Sequence, residues 1–389
     1  MSCCEKSRVM LVGTGGYAGF YLETLAKPEF TQKAEFVCAV DPFCAPETKE
    51  RLEKQGVRVF DDMQTAYDAA GPIDLTLCVT PLPYHLEHIR MAVQNGSHVL
   101  CEKPAAPVME QLEPMIRLEK ESGKCVAIGF QWSFAPAMLA CKQDILSGRY
   151  GKPLFAKALV LWPRPESYFK RGSGWGGKRF ADDGSIINDS VASNATAHYL
   201  HNLYFMFGDL LSTSAMPEQL RMSVARANDI ENYDTVCVEA TLSNGARVLY
   251  LASHAVSETQ NPLIEYRLEN AVIRYDCETN RLAAFSYSGE LLCDYGDVDG
   301  SVDTKVHTVL DAVRAGDWSG VPCMPSTAKA HVYTVDELFY KAHIHPFREE
   351  EKALYKADSQ TERGVFVPGL AQACKKAYDN EQFLDFQKL

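Results

Sequence analysis

The sequence predicts an α/β fold at its N-terminal end, a doubly wound parallel sheet, followed by an α+β region on a large open, mainly antiparallel sheet. Three observations carry this. Near-continuous apolar runs alternate with amphipathic ones through the first 130 residues. The first of those runs breaks into closely spaced glycines. Beyond about residue 135 the alternation gives way to long β-type runs, with helical pattern set apart from them. Apolar strands separated by helices mean a parallel sheet covered on both faces, whereas strand runs with segregated helices mean an α+β layer.

In the first region strands are expected at 8–12, 35–40, 57–60, 73–79, 97–101 and 125–130. Amphipathic helices are expected between them, at 16–27, 46–54, 63–69, 84–95 and 108–122. In the second, β-type runs lie at 154–162, 220–227, 234–242, 246–255, 263–268, 271–276 and 282–287. Turns such as Ser243-Asn244-Gly245 suit antiparallel pairing. Helical pattern returns at 304–315, 325–342 and around 370–378. The domain division is 1–130 and 131–389, with a charged tail at 346–389 expected to pack back on the first domain. The open sheet face of the second domain suggests self-association.

The glycines define the first candidate site. Arg8-Val9-Met10-Leu11-Val12 runs into Gly13-Thr14-Gly15-Gly16-Tyr17-Ala18. A buried strand ends, glycines turn the chain with no Cβ in the way, and a helix begins near Gly16. Bare N–H groups and the positive end of the helix dipole can then hold a pyrophosphate. Ala18 stands where a small residue is needed for close helix–strand contact. The next strand ends in Asp41, twenty-three residues after Ala18, where a carboxylate accepts both ribose hydroxyls of an adenosine and repels a 2′-phosphate. Pro42 and Phe43 follow, with no arginine, so NAD is expected rather than NADP. This is the pattern of a Rossmann domain, whose ligand lies outside the carboxyl ends of the strands.

Composition limits the alternatives. A chain of 389 residues makes roughly two domains. A net charge of −12 argues against nucleic-acid or anionic-membrane partners. No stretch reaches the roughly 20 apolar residues of a membrane span, and Met1–Lys6 has no signal-peptide core. The thirteen cysteines are odd in number, form no C-x-x-C, and include Cys38, Cys78, Cys101 and Cys125 in predicted strands. They read as reduced core residues, which points to the cytoplasm. His343 and His345 lack an identifiable third ligand, so no metal is expected.

Two further strands end in polar segments. The run at 97–101 passes into Glu102-Lys103-Pro104, and that at 73–79 into Thr80-Pro81-Leu82-Pro83-Tyr84-His85. With the glycine loop, Asp41 and Gly129-Phe130-Gln131-Trp132, the chain resembles the glucose-fructose oxidoreductase / inositol dehydrogenase / MocA family over almost its whole length. The resemblance implies an NAD-dependent oxidoreductase acting on a sugar, sugar derivative or inositol, assembled as a homodimer or homotetramer. It implies that Lys103 lies beside the substrate hydroxyl and the nicotinamide, with Glu102 near the nicotinamide ribose and Thr80, Pro81, His85 and Gln131 also at the cofactor. A half-desolvated amine beside a cationic ring loses its own charge more easily and can take a proton.

Asn194, His198, His201 and Asn202 fall on one stripe at helical spacing, with Leu200, Leu203, Tyr204 and Phe207 opposite. The resemblance implies a histidine here at His198, meeting Lys103 across the cofactor cleft, and an aspartate four residues earlier. That position holds Asn194, which can orient a hydroxyl but cannot take its proton. Lys103 and His198 are left as acid/base candidates, and Asp189 as a replacement carboxylate; His201 stands where a second aspartate is common. Trp132, Asp189, Asn194 and His201 are candidate substrate ligands. Trp175, in the segment 168–179 with Tyr168 and several cations, suits a sugar-binding rim. Two alternatives stay open: an NAD-cycling enzyme that oxidises a glycoside transiently and eliminates its leaving group, and a non-catalytic sensor.

Overall fold

The structure, a computed structural model, describes residues 6–170, 174–356 and 362–389. It divides into two units: 1–106, 110–134 and 299–328 form the first, and 107–109, 135–298 and 329–389 the second. Arg171-Gly172-Ser173 of the expected rim lies outside the described residues.

The first unit carries β1 (Ser7–Val12), β2 (Ala34–Val40), β3 (Arg58–Phe60), β4 (Leu75–Cys78), β5 (His98–Cys101) and β6 (Val126–Ile128). They pair in the order β3-β2-β1-β4-β5-β6, all in parallel. The order reverses between β1 and β4, so the loops after those strands flank the switch point where such sheets take ligands. Val9, Met10, Leu11, Leu75, Leu77, Val99, Leu100 and Val126 are buried, as strands covered on both faces must be. Every helix foreseen between these strands is present, among them Ala18–Leu25, Pro46–Lys54, His85–Gln94 and Met109–Glu121.

One correction concerns residues 299–328, expected in the second domain. They belong to the first unit, where the helix Val302–Ala315 packs on Ala18–Leu25 and on the turn Gln131–Phe134. Its buried face of Val302, Lys305, Val306, Val309 and Leu310 finds its apolar partner there.

The second unit holds a nine-stranded mixed sheet: β7 (Pro153–Leu161), β8 (Pro217–Arg226), β9 (Thr235–Leu242), β10 (Arg247–Ser253), β11 (Gln260–Leu268), β12 (Val272–Asp276), β13 (Arg281–Phe285), β14 (Leu291–Asp297) and β15 (Ile344–Pro346). The order is β14-β13-β12-β11-β7-β10-β9-β8-β15, antiparallel except for β7–β10 and β8–β15. β14, β15, the hairpin β16 (Ala353–Lys356) and β17 (Arg363–Phe366), and the helix Pro136–Leu146 were not foreseen. β14 opens on two adjacent exposed leucines and buries none of its residues, and β15, β16 and β17 are three or four residues long; none of these strands leaves a clear periodicity.

The tail is the second correction. Val367, Leu370, Cys374, Ala377, Tyr378 and Phe386 join Phe155, Leu159, Leu161, Leu249 and Leu251 in one cluster, so the helix Leu370–Asn380 covers a face of the second unit's own sheet. Glu381, just past that helix, pairs with Lys157 (3.4 Å) and with Arg267. The self-association expected from an open face therefore loses its premise over β7 and β10: this chain's own residues fill that surface.

Candidate active site

In the first unit the glycine loop is pinned from both sides. Gly13 has φ +89°, and a Cβ there would stand 2.3 Å from the Val79 carbonyl oxygen, so only glycine lets β1 turn this close to the end of β4. Asp41 Oδ2 accepts the Thr14 N–H (2.8 Å) and the Thr14 hydroxyl (2.7 Å), and Oδ1 accepts the Phe43 N–H (2.9 Å). The acid after β2 thus shapes the loop as well as presenting itself beside it. Gly15 and Gly16 are exposed, and a Cβ on either would meet nothing within 4 Å. Bare backbone there, ahead of the buried Ala18 and its helix, is a cradle that side chains would fill and that a dinucleotide pyrophosphate fits.

The loop after β4 is braced. Thr80 Oγ1 bonds His88 Nδ1 (3.0 Å). His85 is buried, its ring between the carbonyl oxygens of Thr80 (2.9 Å) and Pro104 (3.0 Å), tying that loop to the segment after β5. Burial holds His85 below the ordinary histidine range despite those carbonyls, and burial with the neighbouring His85 brings His88 down to about 4. Pro81 is exposed at the rim.

Lys103 is half-buried, two residues past the end of β5, between the enclosed Glu102 and Pro104. Glu102 gathers groups from three segments. Tyr21 O–H donates to Oε1 (2.6 Å), Lys305 Nζ also reaches Oε1, and the Lys103 N–H donates to Oε2 (3.1 Å). Tyr17 bonds Gln131 (3.0 Å) beside this group. Burial alone would raise the Glu102 carboxyl, but the Lys305 charge and the hydrogen bonds from Lys305 and Tyr21 hold it below the usual carboxylate range. The fold thus brings Tyr17, Glu102, Lys103 and Gln131 together; Trp132 is buried next to Gln131. Sequence reasoning missed Lys305, because nothing local signals that a helix 203 residues on returns to this strand end.

In the second unit the expected polar stripe takes another form. Val191–Ala195 is a π-helical turn, and the α-helix starts only at Ala197 and runs to Phe205, so Asn194 and His198 are not on one continuous α-helix. That helix is enclosed nearly all round: Leu200, His201, Asn202, Leu203 and Tyr204 are all buried, while Asn194 and His198 are half-buried. His201 stacks on Phe205 (5.7 Å), and burial, then the nearby His331 and Lys142, keeps it well below its ordinary pKa. It sits in the interior rather than on a surface. Asp189 is buried, accepting the Gly177 N–H at Oδ2 (2.7 Å) and the Asn194 amide at Oδ1 (2.8 Å). The carboxylate nominated as a substitute base therefore orients the asparagine.

Trp175 is half-buried. A separate aromatic group lies nearby in sequence: Trp162 meets Tyr199 edge-on (5.7 Å), Arg164 lies over Tyr168 (4.7 Å), and Tyr168 meets His254 (5.7 Å).

Among known proteins, residues 7–130 match the model of the oxidoreductase family with an NAD-binding Rossmann fold. An inositol 2-dehydrogenase of Rubrobacter xylanophilus is 28% identical over 198 residues, 50% of this chain and 50% of that protein. A D-glucoside 3-dehydrogenase of Escherichia coli is 35% identical over 110 residues, 28% of this chain and 31% of that one. The chain thus spans about half the length, or less, of these curated relatives. Among solved structures, the WlbA dehydrogenase from Bordetella pertussis, in complex with NADH and UDP-GlcNAcA, superposes with a TM-score of 0.67 at 21% identity, over 84% of this chain and 94% of that one. A levoglucosan dehydrogenase in complex with NADH and levoglucosan gives 0.69 at 18% identity, over 86% and 96%. These two likenesses establish the fold. Through residues 7–130, the chain is similar to the glucose-fructose oxidoreductase, inositol dehydrogenase and MocA family.

Proposed function

We propose that this protein is an NAD-dependent oxidoreductase acting on a hydroxyl of a sugar, sugar derivative or inositol, with Lys103 as the general acid/base. The observation that carries the reading is one lysine: half-buried at the ligand-binding end of β5, its peptide N–H fixed by Glu102, in the same unit as the glycine cradle. The names of the relatives, inositol and glucoside dehydrogenases, support the substrate class.

Gly13, Gly15, Gly16, Tyr17 and Ala18 are the residues to hold the dinucleotide phosphates, and Asp41 to meet its adenosine ribose. When bound, the nicotinamide supplies the hydride acceptor. The amine of Lys103 takes the hydroxyl proton in the oxidising direction and returns it in the reducing direction. His198 and Asn194, the half-buried pair of the second unit, are the candidates to orient the substrate oxygen, with Asp189 holding the asparagine amide.

The test is turnover of NAD against a panel of sugars, inositols and glycosides. Net NADH formation supports the dehydrogenase; cleavage of a glycoside without NADH supports the cycling variant, in which NAD is regenerated in place. Absence of turnover across the panel, with a sugar nevertheless bound, would replace both by a sensor. Homodimeric or homotetrameric assembly belongs to the same proposal, and light scattering of the purified chain decides it.

A further inference from the structure

The Glu102–Lys305 pair is the most enclosed pair of opposite charges in the first unit among the described residues. Glu102 is 6% exposed and Lys305 0%. Two charges withdrawn from water this completely are retained only where geometry and additional hydrogen bonds compensate them. Here each bond has an identifiable consequence. Oε1 takes Lys305 and the Tyr21 hydroxyl, and this fixes the carboxylate so that Oε2 faces the Lys103 N–H. The rings of Tyr17 and Tyr21 lie 5.3 Å and 5.2 Å from Lys305 Nζ, cation–π contacts that help hold the ammonium in place.

Gly129 supplies an independent sign that this arrangement is built in. A Cβ there would stand 3.2 Å from both Glu102 Oε1 and Lys305 Nζ, so the glycine of the Gly129-Phe130-Gln131-Trp132 segment leaves room for the pair. Gly129 N–H also bonds the Cys101 carbonyl (2.7 Å), which places it directly beside the end of β5. The titratable groups facing Glu102 are Lys305 from the helix Val302–Ala315, Tyr17 and Tyr21 at the glycine loop and its helix, His85 after β4, and Cys101 and Lys103 on its own segment.

We propose that Lys305 is a positioning residue for Lys103: through Glu102 it fixes the backbone at the end of β5, and with it the origin of the amine that moves the proton. The inference rests on the reading of Lys103 as acid/base but is tested separately from it. In Lys305→Met, kcat falls about tenfold to a hundredfold, the scale at which a small misplacement of a reacting group is felt. The dinucleotide Kd, measured by calorimetry, stays within about twofold. The Lys103 amide exchanges with deuterium at least about tenfold faster, while the amides of β1 keep their wild-type rates.

A merely structural lysine gives a different result: exchange rises across β1 and β4 together, or kcat per folded molecule is unchanged, and either overturns the proposal. Should Lys305→Met fail to fold, Lys305→Met with Glu102→Gln removes the uncompensated charge and is measured in the same way. Displaced kcat and Lys103 exchange in that variant support positioning, and wild-type values of both overturn it. If the wild-type protein oxidises no sugar or polyol, the proposed reaction falls, and Lys103 amide exchange alone decides whether Lys305 fixes this peptide.

Discussion

The two units handle their polar residues in opposite ways. In the first, polar groups collect at strand ends, where chain direction has already aimed them at one edge of the sheet: Gly13 to Tyr17 after β1, Asp41 after β2, Thr80 and His85 after β4, Lys103 after β5. In the second they are woven into the interior, with Asp189 holding Asn194 and Gly177, Tyr204 bonding Thr334 (3.0 Å), and His201 packed on Phe205. A parallel sheet exposes function at its ends because its faces are occupied by helices. A helix buried against a mixed sheet instead encloses its polar groups with it, and most of them are satisfied by a partner within the fold.

That contrast predicts which substitutions remove activity and which remove stability. The largest effect falls in the first unit: Lys103→Met lowers kcat by about 10²–10⁴, the usual worth of general acid–base catalysis, with dinucleotide affinity and thermal stability nearly unchanged. Steady-state kinetics beside a thermal melt checks it, and wild-type turnover would remove the proton-transfer role. Next is Asp189→Ala in the second unit, which strands two donors and destabilises by about 2–4 kcal/mol in a urea titration. If this variant kept full stability and lost turnover as completely as Lys103→Met, the division drawn between the units would fail.

A third effect depends on pH. His85 and His88 are held neutral in the fold, with pKa values below the unfolded histidine value of about 6.5. Between the folded and unfolded values the unfolded chain binds more protons, so stability rises with pH. The contribution is complete above about 6.5 and, for His88, is lost as the pH falls toward about 4. Denaturant midpoints measured from pH 7 to 4 should decline over this window, and His88→Gln should flatten part of the slope. The smallest effect is Tyr204→Phe: removal of one buried hydroxyl partner of Thr334 costs about 1 kcal/mol, with kcat unchanged.

Legibility follows the same division. The glycine loop, Asp41, and the Glu102-Lys103-Pro104 end of β5 could be read because each is a strand end followed at once by its polar residues. Alternation of buried strands and amphipathic helices located all six strands of the first sheet. In the second unit the same reasoning took Asn194, His198 and His201 as one stripe. The π-helical turn at Val191–Ala195 shifted the phase, and packing on every side of Ala197–Phe205 removed any exposed stripe. The tail was readable as an amphipathic helix but not as a partner of the β7–β10 face, since an apolar stripe states that it will be covered and not by what.

What the sequence determined unaided was therefore local: element type, strand order of use, the glycine turn, and the residues that leave each strand. Backbone hydrogen bonding and side-chain periodicity act over a few residues, so they are written in consecutive letters. Tertiary structure alone decided that residues 299–328 return to the first unit, that Lys305 meets Glu102, and that Leu370–Asn380 covers the second sheet. Those contacts join residues far apart in the chain, and which surfaces meet is selected by the packing of the whole unit, for which no short segment carries a signal.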